Sequence, residues 1–498
     1  MALPEWARSA TPDGRFSSAG GGIGRGLSLN FLAGLFQLFG AALSTVILSR
    51  ILSPEDFGVY GMILPFVSIL VLLIDGGSIY YMLRSEKVVE REATDLFWYA
   101  LCCSTAGMLL LMLAMPGIAW AMDEPHVLGA GLVAALTLLF NGLGFQHAAL
   151  IMRCFRNDLR ALAIIGGVIV GVAAGVAIAL AGGGYWALIA LLSFRVLATS
   201  LLYVFLSGWR PGPPHWDRAL LKDVFRLARP TLRGRIALSL VRESDKIFVG
   251  LLFSTSQTGF YAFAQMLSVV PLQQVISPTF SVVLPWLSEI KENRVELFER
   301  FWAFLCNFIF LFLAPCLFGS FFADSLFALV LGPEMAPAAS PFRILVVSAA
   351  AALAYDFTSL SFQAVDRPDI PERQQYGMML VFLLLYAAAS LHPRFEMIAV
   401  AVLVGNILTM GIRLRGVFRH FEAPVAGPML RLARSLLLSF VPAALVLGLA
   451  EITGSLTGIG DLDTVLYSAL FTVIYAALAI GAFGLNPMLL LRRRRRPA

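Results

Sequence analysis

Long apolar runs separated by short polar segments recur along the whole chain. A run of about eighteen or more apolar residues can cross roughly 30 Å of hydrocarbon as a helix. The pattern therefore predicts an all-α integral membrane protein of about fourteen transmembrane helices. The predicted spans are residues 27–49, 57–74, 96–121, 127–151, 159–181, 185–206, 236–253, 260–287, 299–321, 341–364, 375–391, 396–412, 435–450 and 464–486.

The positions of Lys and Arg orient these spans, because loops on the cytoplasmic side retain positive charge. If the amino terminus is cytoplasmic, the outer loops carry only Arg50 and Arg394 of the 37 basic residues. Four more lie inside spans, and all the others fall on the cytoplasmic side. This alternation predicts an even number of helices with both chain ends in the cytoplasm.

Composition supports this assignment and limits the function. The chain has 59% hydrophobic and 14% charged residues, outside the range of soluble globular proteins. The net charge of +6 belongs to the inner membrane face, so Arg492–Arg496 is interpreted as a topology anchor that also meets anionic lipid, and no nucleic-acid partner is expected. The loops are short and hold no Ser/His/Asp, HExxH or CxxC constellation, which argues against an enzyme.

An internal repeat suggests two lobes. The pattern S-x4-G-x-Y aligns Ser53 with Ser254, Gly58 with Gly259 and Tyr60 with Tyr261, at the same place in each half. Such repeats are typical of transporters with a substrate path between the lobes. The predicted divisions are a tail at 1–26, an N-lobe at 27–206, an inter-lobe segment at 207–235, a C-lobe at 236–412, a cytoplasmic loop at 413–434, a terminal helix pair at 435–486 and a basic tail at 487–498.

Two helix faces have patterns of their own. From Trp216 to Arg229 the chain places Leu220, Val224 and Leu227 on one side and Arg218, Lys222 and Arg226 on the other, which predicts an amphipathic surface helix joining the two halves. In the fifth span, Gly167, Gly171 and Gly175 repeat the GxxxG spacing, which predicts close helix packing.

The seventh span carries four charges: Arg242, Glu243, Asp245 and Lys246. Each mid-helix charge opposes insertion by about 2.5 to 3.5 kcal/mol, whereas each large apolar residue favours it by roughly 0.3 to 0.6 kcal/mol. This helix therefore cannot face lipid all round, and its charged face must line a wet cavity or pair internally. An internal structural network, such as Arg242 with Asp245 at i and i+3, is the alternative.

The other charges inside spans are Arg195, Arg343 and Asp356. A cavity lined by Arg and Lys suits phosphate or carboxylate groups, although Arg343 can instead extend to the interface. The candidate residues for ion coupling are Asp245, Glu243, Asp356 and His147, with His147 alternatively a hydrogen-bonded structural residue. No cofactor is expected, and proton, sodium and membrane-potential drive all stay open.

Several segments together resemble the polysaccharide transporter family of the multidrug/oligosaccharidyl-lipid/polysaccharide (MOP) exporter superfamily. They are Ile47–Tyr60, His147–Ile165, Arg242–Leu267, Leu331–Leu345 and Phe362–Ile370. The resemblance implies a MATE-like bundle of two six-helix lobes in a bacterial inner membrane. It also implies alternating access and outward movement of undecaprenyl-diphosphate-linked sugars, with Arg50, Arg242, Asp245 and Lys246 as the residues matched by position.

The expected function is therefore a flippase for a lipid-linked oligosaccharide of an exopolysaccharide, capsule or lipopolysaccharide O-antigen. A cation-coupled multidrug exporter of the same superfamily and a membrane glycosyltransferase or polymerase are the alternatives. The expected partners are the lipid-linked oligosaccharide and membrane lipids, with a polysaccharide polymerase and a chain-length regulator as candidate protein partners.

Overall fold

A computed structural model describes residues 22–74, 78, 81–82, 90–154, 156–367, 369–392, 394–452 and 461–483. Within these residues the regular structure is helical, as the sequence predicts. The helices are α1 (Gly22–Ser49), α2 (Pro54–Ile74), α3 (Glu90–Ala121), α4 (His126–Arg153), α5 (Asn157–Leu180), α6 (Trp186–Ser207), α7 (Arg218–Leu252), α8 (Thr255–Ser288), α9 (Arg294–Phe321), α10 (Ala323–Val330), α11 (Ala339–Ala364), α12 (Asp369–Ala389), α13 (Glu396–Phe421), α14 (Ala426–Ile452) and α15 (Asp461–Phe483).

The long helices lie where the apolar runs predict them, since each predicted span overlaps one of them. The short α10 and a 3-10 turn at Pro333–Ala338 fill the loop between the ninth and tenth spans. Among the described residues, nine helices are long and apolar enough to cross a membrane. Helix α7 is not one of them, because its charges lower its hydropathy.

Helix α7 differs from the predicted arrangement in being continuous. The amphipathic segment and the seventh span form one helix of 35 residues, with Asp217 as its N-cap. The Asp217 carboxylate accepts hydrogen bonds from the amides of Ala219, at 2.9 Å, and Leu220, at 3.4 Å. Although Pro230 lies in the interior of the helix, the helix continues on both sides of it.

The chain divides into two compact units, and each has its own core. The first unit holds residues up to Phe263 together with Gln375–Ile398, and the second holds Ala264–Gln374 and the chain from Ala399 onward. The first unit contains α1 to α7 and the start of α8, and its core is formed by apolar side chains of α2, α3 and α4. The second is centred on α9, α11, α13 and α14. The lobe boundaries from the sequence remain a prediction.

The GxxxG spacing brings α5 against α6, which confirms the predicted close packing. A methyl group on Gly171 would lie 2.6 Å from Cβ of Arg195 and 2.8 Å from the carbonyl oxygen of Leu191. A methyl group on Gly175 would lie 2.9 Å from Cβ of Leu191. The absence of side chains at these positions therefore sets the distance at which α6 holds Arg195.

Candidate functional site

The two copies of S-x4-G-x-Y begin helices α2 and α8 in the same way. Ser53 precedes α2, and its amide and hydroxyl each donate to Oδ2 of Asp56 at 2.9 Å. Ser254 precedes α8, and its amide donates to Oε1 of Gln257 at 3.2 Å. In both copies the serine hydroxyl accepts from the amide three residues later, so each is a capping box. The serine of the repeat is therefore a helix start signal.

The glycines of the repeat let these two helix starts meet. A methyl group on Gly58 would approach the carbonyl carbon of Thr255 to 2.8 Å, and one on Gly259 would approach that of Pro54 to 2.8 Å. Beside this crossing, Ser256 Oγ donates to Glu55 Oε1 at 3.0 Å. These six residues form a crossing in which each repeat contacts the other through equivalent positions. We call it the glycine crossing.

The tyrosines of the repeat point to a buried polar cluster on α7. The Tyr261 hydroxyl donates to Oδ2 of Asp245 at 2.9 Å, and the amide of Lys246 donates to Oδ1 at 2.8 Å. Asp245 is 2% exposed. Tyr386 on α12 is also buried there, hydrogen-bonded to Ser244. The carboxylate is thus held by hydrogen bonds inside the first unit.

Lys246 lies beside this carboxylate and is 8% exposed. Its Nζ forms an ion pair with Glu243, one turn earlier on α7. Taking two charges out of water is expensive, and their mutual attraction offsets that cost only when the pair is intact. Lys246 therefore has an internal partner in this structure, and an anionic ligand would have to compete with Glu243 for it.

Arg195 of α6 is part of the same neighbourhood. Its guanidinium and the Lys246–Glu243 pair all act electrostatically on the Tyr60 hydroxyl of α2. Arg242 is half-buried one turn before Lys246 and has a polar partner. Asp245 lies seven residues before the end of α7, which corresponds to about 10 Å along the helix. We call Tyr60, Arg195, Arg242, Glu243, Asp245, Lys246 and Tyr261 the charged cluster.

The structure places the remaining predicted residues elsewhere. Arg50 is exposed in the turn after α1. Arg343, in the second unit, forms an ion pair with Asp324 of α10 and is half-exposed. His147 is buried near the end of α4, where its Nδ1 lies 2.7 Å from Ser207 Oγ. Its ring packs against Trp209 at 5.1 Å between centroids, which agrees with a structural hydrogen-bonded histidine.

Asp356 belongs to a second buried polar group, which the sequence analysis missed. Arg413 of α13 is 1% exposed, bonds to the Tyr355 hydroxyl and lies 4.3 Å over the Tyr355 ring. Asp356, on α11 beside Tyr355, interacts electrostatically with this guanidinium. The basic residues that follow placed Arg413 in a predicted loop, but the helix continues to Phe421.

A third polar contact fixes the segment between α6 and α7. Asp95 of α3 is buried, and its carboxylate accepts from the amides of His215 at 2.7 Å, Trp216 at 3.3 Å and Asp217 at 3.2 Å. Trp98 Nε1 donates to the carbonyl oxygen of Gly212 at 2.9 Å. The segment is thereby tied to the start of α3. The predicted tail up to residue 21 and the basic tail at 487–498 lie outside the described residues.

Comparisons with known proteins agree with this architecture. Residues 47–340 match a family described as polysaccharide biosynthesis protein. The succinoglycan biosynthesis transport protein ExoT of Rhizobium meliloti (strain 1021) is 28% identical over 267 residues, which are 51% of this chain and 52% of that protein. The match thus spans about half the length of this relative.

Solved structures share the fold. The lipid II flippase MurJ, in an inward closed conformation, is similar with a TM-score of 0.71 and 14% identity, over 91% of this chain and 98% of MurJ. An inward-facing multidrug resistance MATE transporter of the MOP superfamily gives a TM-score of 0.61 and 15% identity, over 78% of this chain and 98% of that one. The prediction of a MATE-like fold is confirmed. The chain belongs to the polysaccharide biosynthesis protein family and is a multi-span membrane protein with the MOP superfamily fold.

Proposed function

We propose that this protein is a flippase that moves an undecaprenyl-diphosphate-linked oligosaccharide from the cytoplasmic to the periplasmic leaflet by alternating access. The observation that carries the proposal is the charged cluster, in which the buried Asp245 and Lys246 lie beside half-buried cations and an acid in a membrane protein of a polysaccharide family. Intramembrane charges are functional candidates because their insertion is costly. The diphosphate and acidic sugars of such a substrate supply the anions that Arg and Lys bind.

The Lys246–Glu243 pair gives this proposal a mechanism of partner exchange. When an anionic head group arrives, Lys246 leaves Glu243 and contacts the ligand, with Arg195 and Arg242 as neighbouring cations. Glu243 then requires a proton or a cation, because an unpaired buried carboxylate is strongly disfavoured. When the ligand leaves, Glu243 releases that proton or cation and forms its ion pair with Lys246 again. Ion uptake is thereby coupled to substrate binding.

Asp245 is the second acid through which ion coupling can act. Its carboxylate is held by the Tyr261 hydroxyl and the Lys246 amide, so it lies beside the exchanging cation. His147 is a weaker candidate because it packs among aromatic rings and bonds to Ser207. Asp356 lies in the second unit, where it interacts electrostatically with Arg413.

The experiment measures glycan export in a strain that lacks its own copy of the transporter. We expect Lys246→Met to abolish export, and Lys246→Met with Glu243→Gln to remain inactive while the protein accumulates in the membrane. If the pair only stabilises the fold, the double variant restores export, because it leaves no unpaired buried charge. Lys291→Met is the matched control, since Lys291 pairs with Asp366 on the protein surface.

A second pair of variants tests the remaining cations. We expect Arg242→Ala with Lys246→Ala to lose export, and wild-type export by this double variant would refute the site assignment. The same strains are assayed for efflux of cationic dyes. Resistance to several dyes with unchanged surface glycan would instead identify a multidrug exporter. Transfer of sugar to a lipid acceptor by the purified protein would identify a glycosyltransferase.

A further inference from the structure

Helix α7 is longer than the membrane is thick. Its 35 residues correspond to about 52 Å at a rise of 1.5 Å per residue, whereas the hydrocarbon core is about 30 Å thick. About 20 Å of the helix therefore extends beyond the hydrocarbon. The amino-terminal end is the part that extends, because the carboxyl-terminal half carries most of the exposed apolar residues.

The exposed face of α7 is basic near its amino-terminal end and apolar farther along the helix. At 100° per residue, Arg218, Lys222, Arg226 and Arg233 lie within an arc of about 80°, and all four are exposed. Farther along the same face the exposed residues are apolar, with Leu240 at 38% and Leu251 at 44%. From Arg233 to Leu251 the helix rises about 27 Å, close to the hydrocarbon thickness. We call the four cations the basic stripe.

The opposite face of the same turns is already occupied by protein. Leu220 and Val224 are buried in a core cluster that includes Leu96 and Phe97 of α3. Asp95, through its three backbone hydrogen bonds, fixes the chain just before the helix. The start of α7 therefore cannot turn its apolar side into the membrane as a free amphipathic helix does.

Charge in the basic stripe stays positive. Arg226 forms an ion pair with Asp223 at 2.9 Å, with both side chains largely exposed. The Asp217 carboxylate is engaged as the N-cap. One surface carboxylate thus faces four cations on these turns. An exposed pair of this kind is weak and leaves Arg226 able to attract other anions.

We propose that the basic stripe binds the head groups of anionic phospholipids in the cytoplasmic leaflet. The stripe continues directly into the exposed apolar surface at Leu240 and Leu251. If this apolar surface lies in the hydrocarbon, the layer next to the stripe is the head-group layer of the same leaflet. Arg233 lies at its hydrocarbon edge, and Arg226 lies about 10 Å farther out along the helix. Cations near such a surface are attracted by its negative potential, which decays within a Debye length.

This proposal is independent of the transported substrate. The contact would hold the start of α7, together with the α3 residues that fix it, at a defined depth in the membrane. Each cation near the surface strengthens attraction to anionic lipid by about five-fold. Neutralising Arg226 and Arg233 is therefore expected to reduce the preference for anionic over zwitterionic lipid by about 25-fold. Lys222 and Arg218 are expected to contribute less.

The test uses the full chain in nanodiscs of phosphatidylcholine with a minor fraction of phosphatidylglycerol. Native mass spectrometry measures the ratio of the two lipids that remain bound to the protein when it is released from the nanodisc. We expect the wild-type protein to retain phosphatidylglycerol preferentially. The variant R218Q/K222Q/R226Q/R233Q is expected to lose most of this preference while eluting as the same folded species in size-exclusion chromatography.

Two further variants make the result decisive. K291Q/R294Q/R415Q/R419Q removes the same number of exposed cations from the second unit and is expected to retain most of the preference. R218K/R226K/R233K keeps the charges and is expected to behave as wild type. An equal loss in the second-unit variant would reduce the effect to net charge and overturn the proposal. Absence of any preference in the wild type would also overturn it and would leave a soluble anionic protein as the partner of the stripe.

Discussion

Replacing Gly259 with Ala should force helices α2 and α8 apart at the glycine crossing. The added methyl carbon would lie 2.8 Å from the carbonyl carbon of Pro54 and 2.9 Å from the amide nitrogen of Gly58, whereas ordinary contact begins near 3.4 Å. Both neighbours are backbone atoms, so no side-chain rotation can relieve the overlap. The crossing must open by about 1 Å, which forfeits up to half of the dispersion energy of each contact there.

Overpacking of this kind costs about 1 to 3 kcal/mol, and a backbone-to-backbone overlap falls at the upper end. We therefore expect Gly259→Ala to destabilise the protein by about 3 kcal/mol. For 498 residues the unfolding entropy is roughly 1 kcal/mol/K, so the unfolding midpoint in detergent should fall by about 3 °C. Gly117→Ala is the matched control, because Gly117 is also helical and has open space around it. That variant should be neutral or slightly more stable.

The equivalent glycine provides a second measurement. Gly58→Ala alone should have a similar effect, since its methyl group would meet the Thr255 backbone. The double variant should be less destabilised than the sum of the two, because either methyl group already separates the same pair of helices. An unchanged midpoint for Gly259→Ala, or strict additivity of the two variants, would refute the glycine crossing.

Three further predictions concern other buried or hydrogen-bonded groups. Asp95→Asn should weaken the three amide hydrogen bonds by about 1 to 3 kcal/mol in total, so limited proteolysis at residues 208–217 should increase. Unchanged proteolysis would show that Asp95 does not fix this segment. Arg413→Ala should cost about 1 to 3 kcal/mol, because it leaves the buried Tyr355 hydroxyl without this hydrogen-bond partner, whereas an unchanged stability would show that the guanidinium is dispensable. Burial alone would raise the pKa of Glu124, but hydrogen bonds from Thr255 Oγ1, at 2.6 Å, and from His126 hold this pKa below its usual value of 4.5. This stabilisation is present above pH 4.5 and is lost as the pH falls through the lowered pKa, so the difference in unfolding midpoint between wild type and Thr255→Val should shrink there.

The helices could be predicted from sequence because burial in lipid leaves a strong signal in each apolar run. Ser53 and Gly58 could be recognised in the sequence as members of a repeat. Their roles, a helix cap and a close helix contact, can be seen only in the structure. The sequence cannot reveal that Gly58 and Gly259 contact each other, since no periodicity encodes which helix starts meet. The structure supplies the backbone overlap that explains why both are glycine.

The charged cluster was predictable only as a set of residues. Spacing on α7 permits Arg242 with Asp245 and Glu243 with Lys246 equally, since both pairs are three residues apart. In the structure Lys246 forms an ion pair with Glu243, and Asp245 accepts a hydrogen bond from the Tyr261 hydroxyl. The partner of Asp245 is a residue of α8, and the local sequence of α7 cannot reveal which residue of another helix will contact it.

Helix ends and loops were the least predictable. The sequence predicted a surface helix at Trp216–Arg229 separate from the span at 236–253, but packing of Leu220 and Val224 against α3 holds the first turns of the continuous helix in place. Arg413 was similarly placed in a loop because basic residues follow it. Its stacking on Tyr355 offsets part of the cost of burying it, which no count of charges could anticipate.

The continuity of α7 makes it a natural reporter of events inside the membrane. A probe attached at the exposed Lys222 lies 24 residues, or about 36 Å along the helix, from Lys246. Any rotation of the helix about its axis during partner exchange would turn the probe by the same angle. Spectroscopy at an accessible surface position can therefore follow the buried ion pair, without a label in the site that would disturb it.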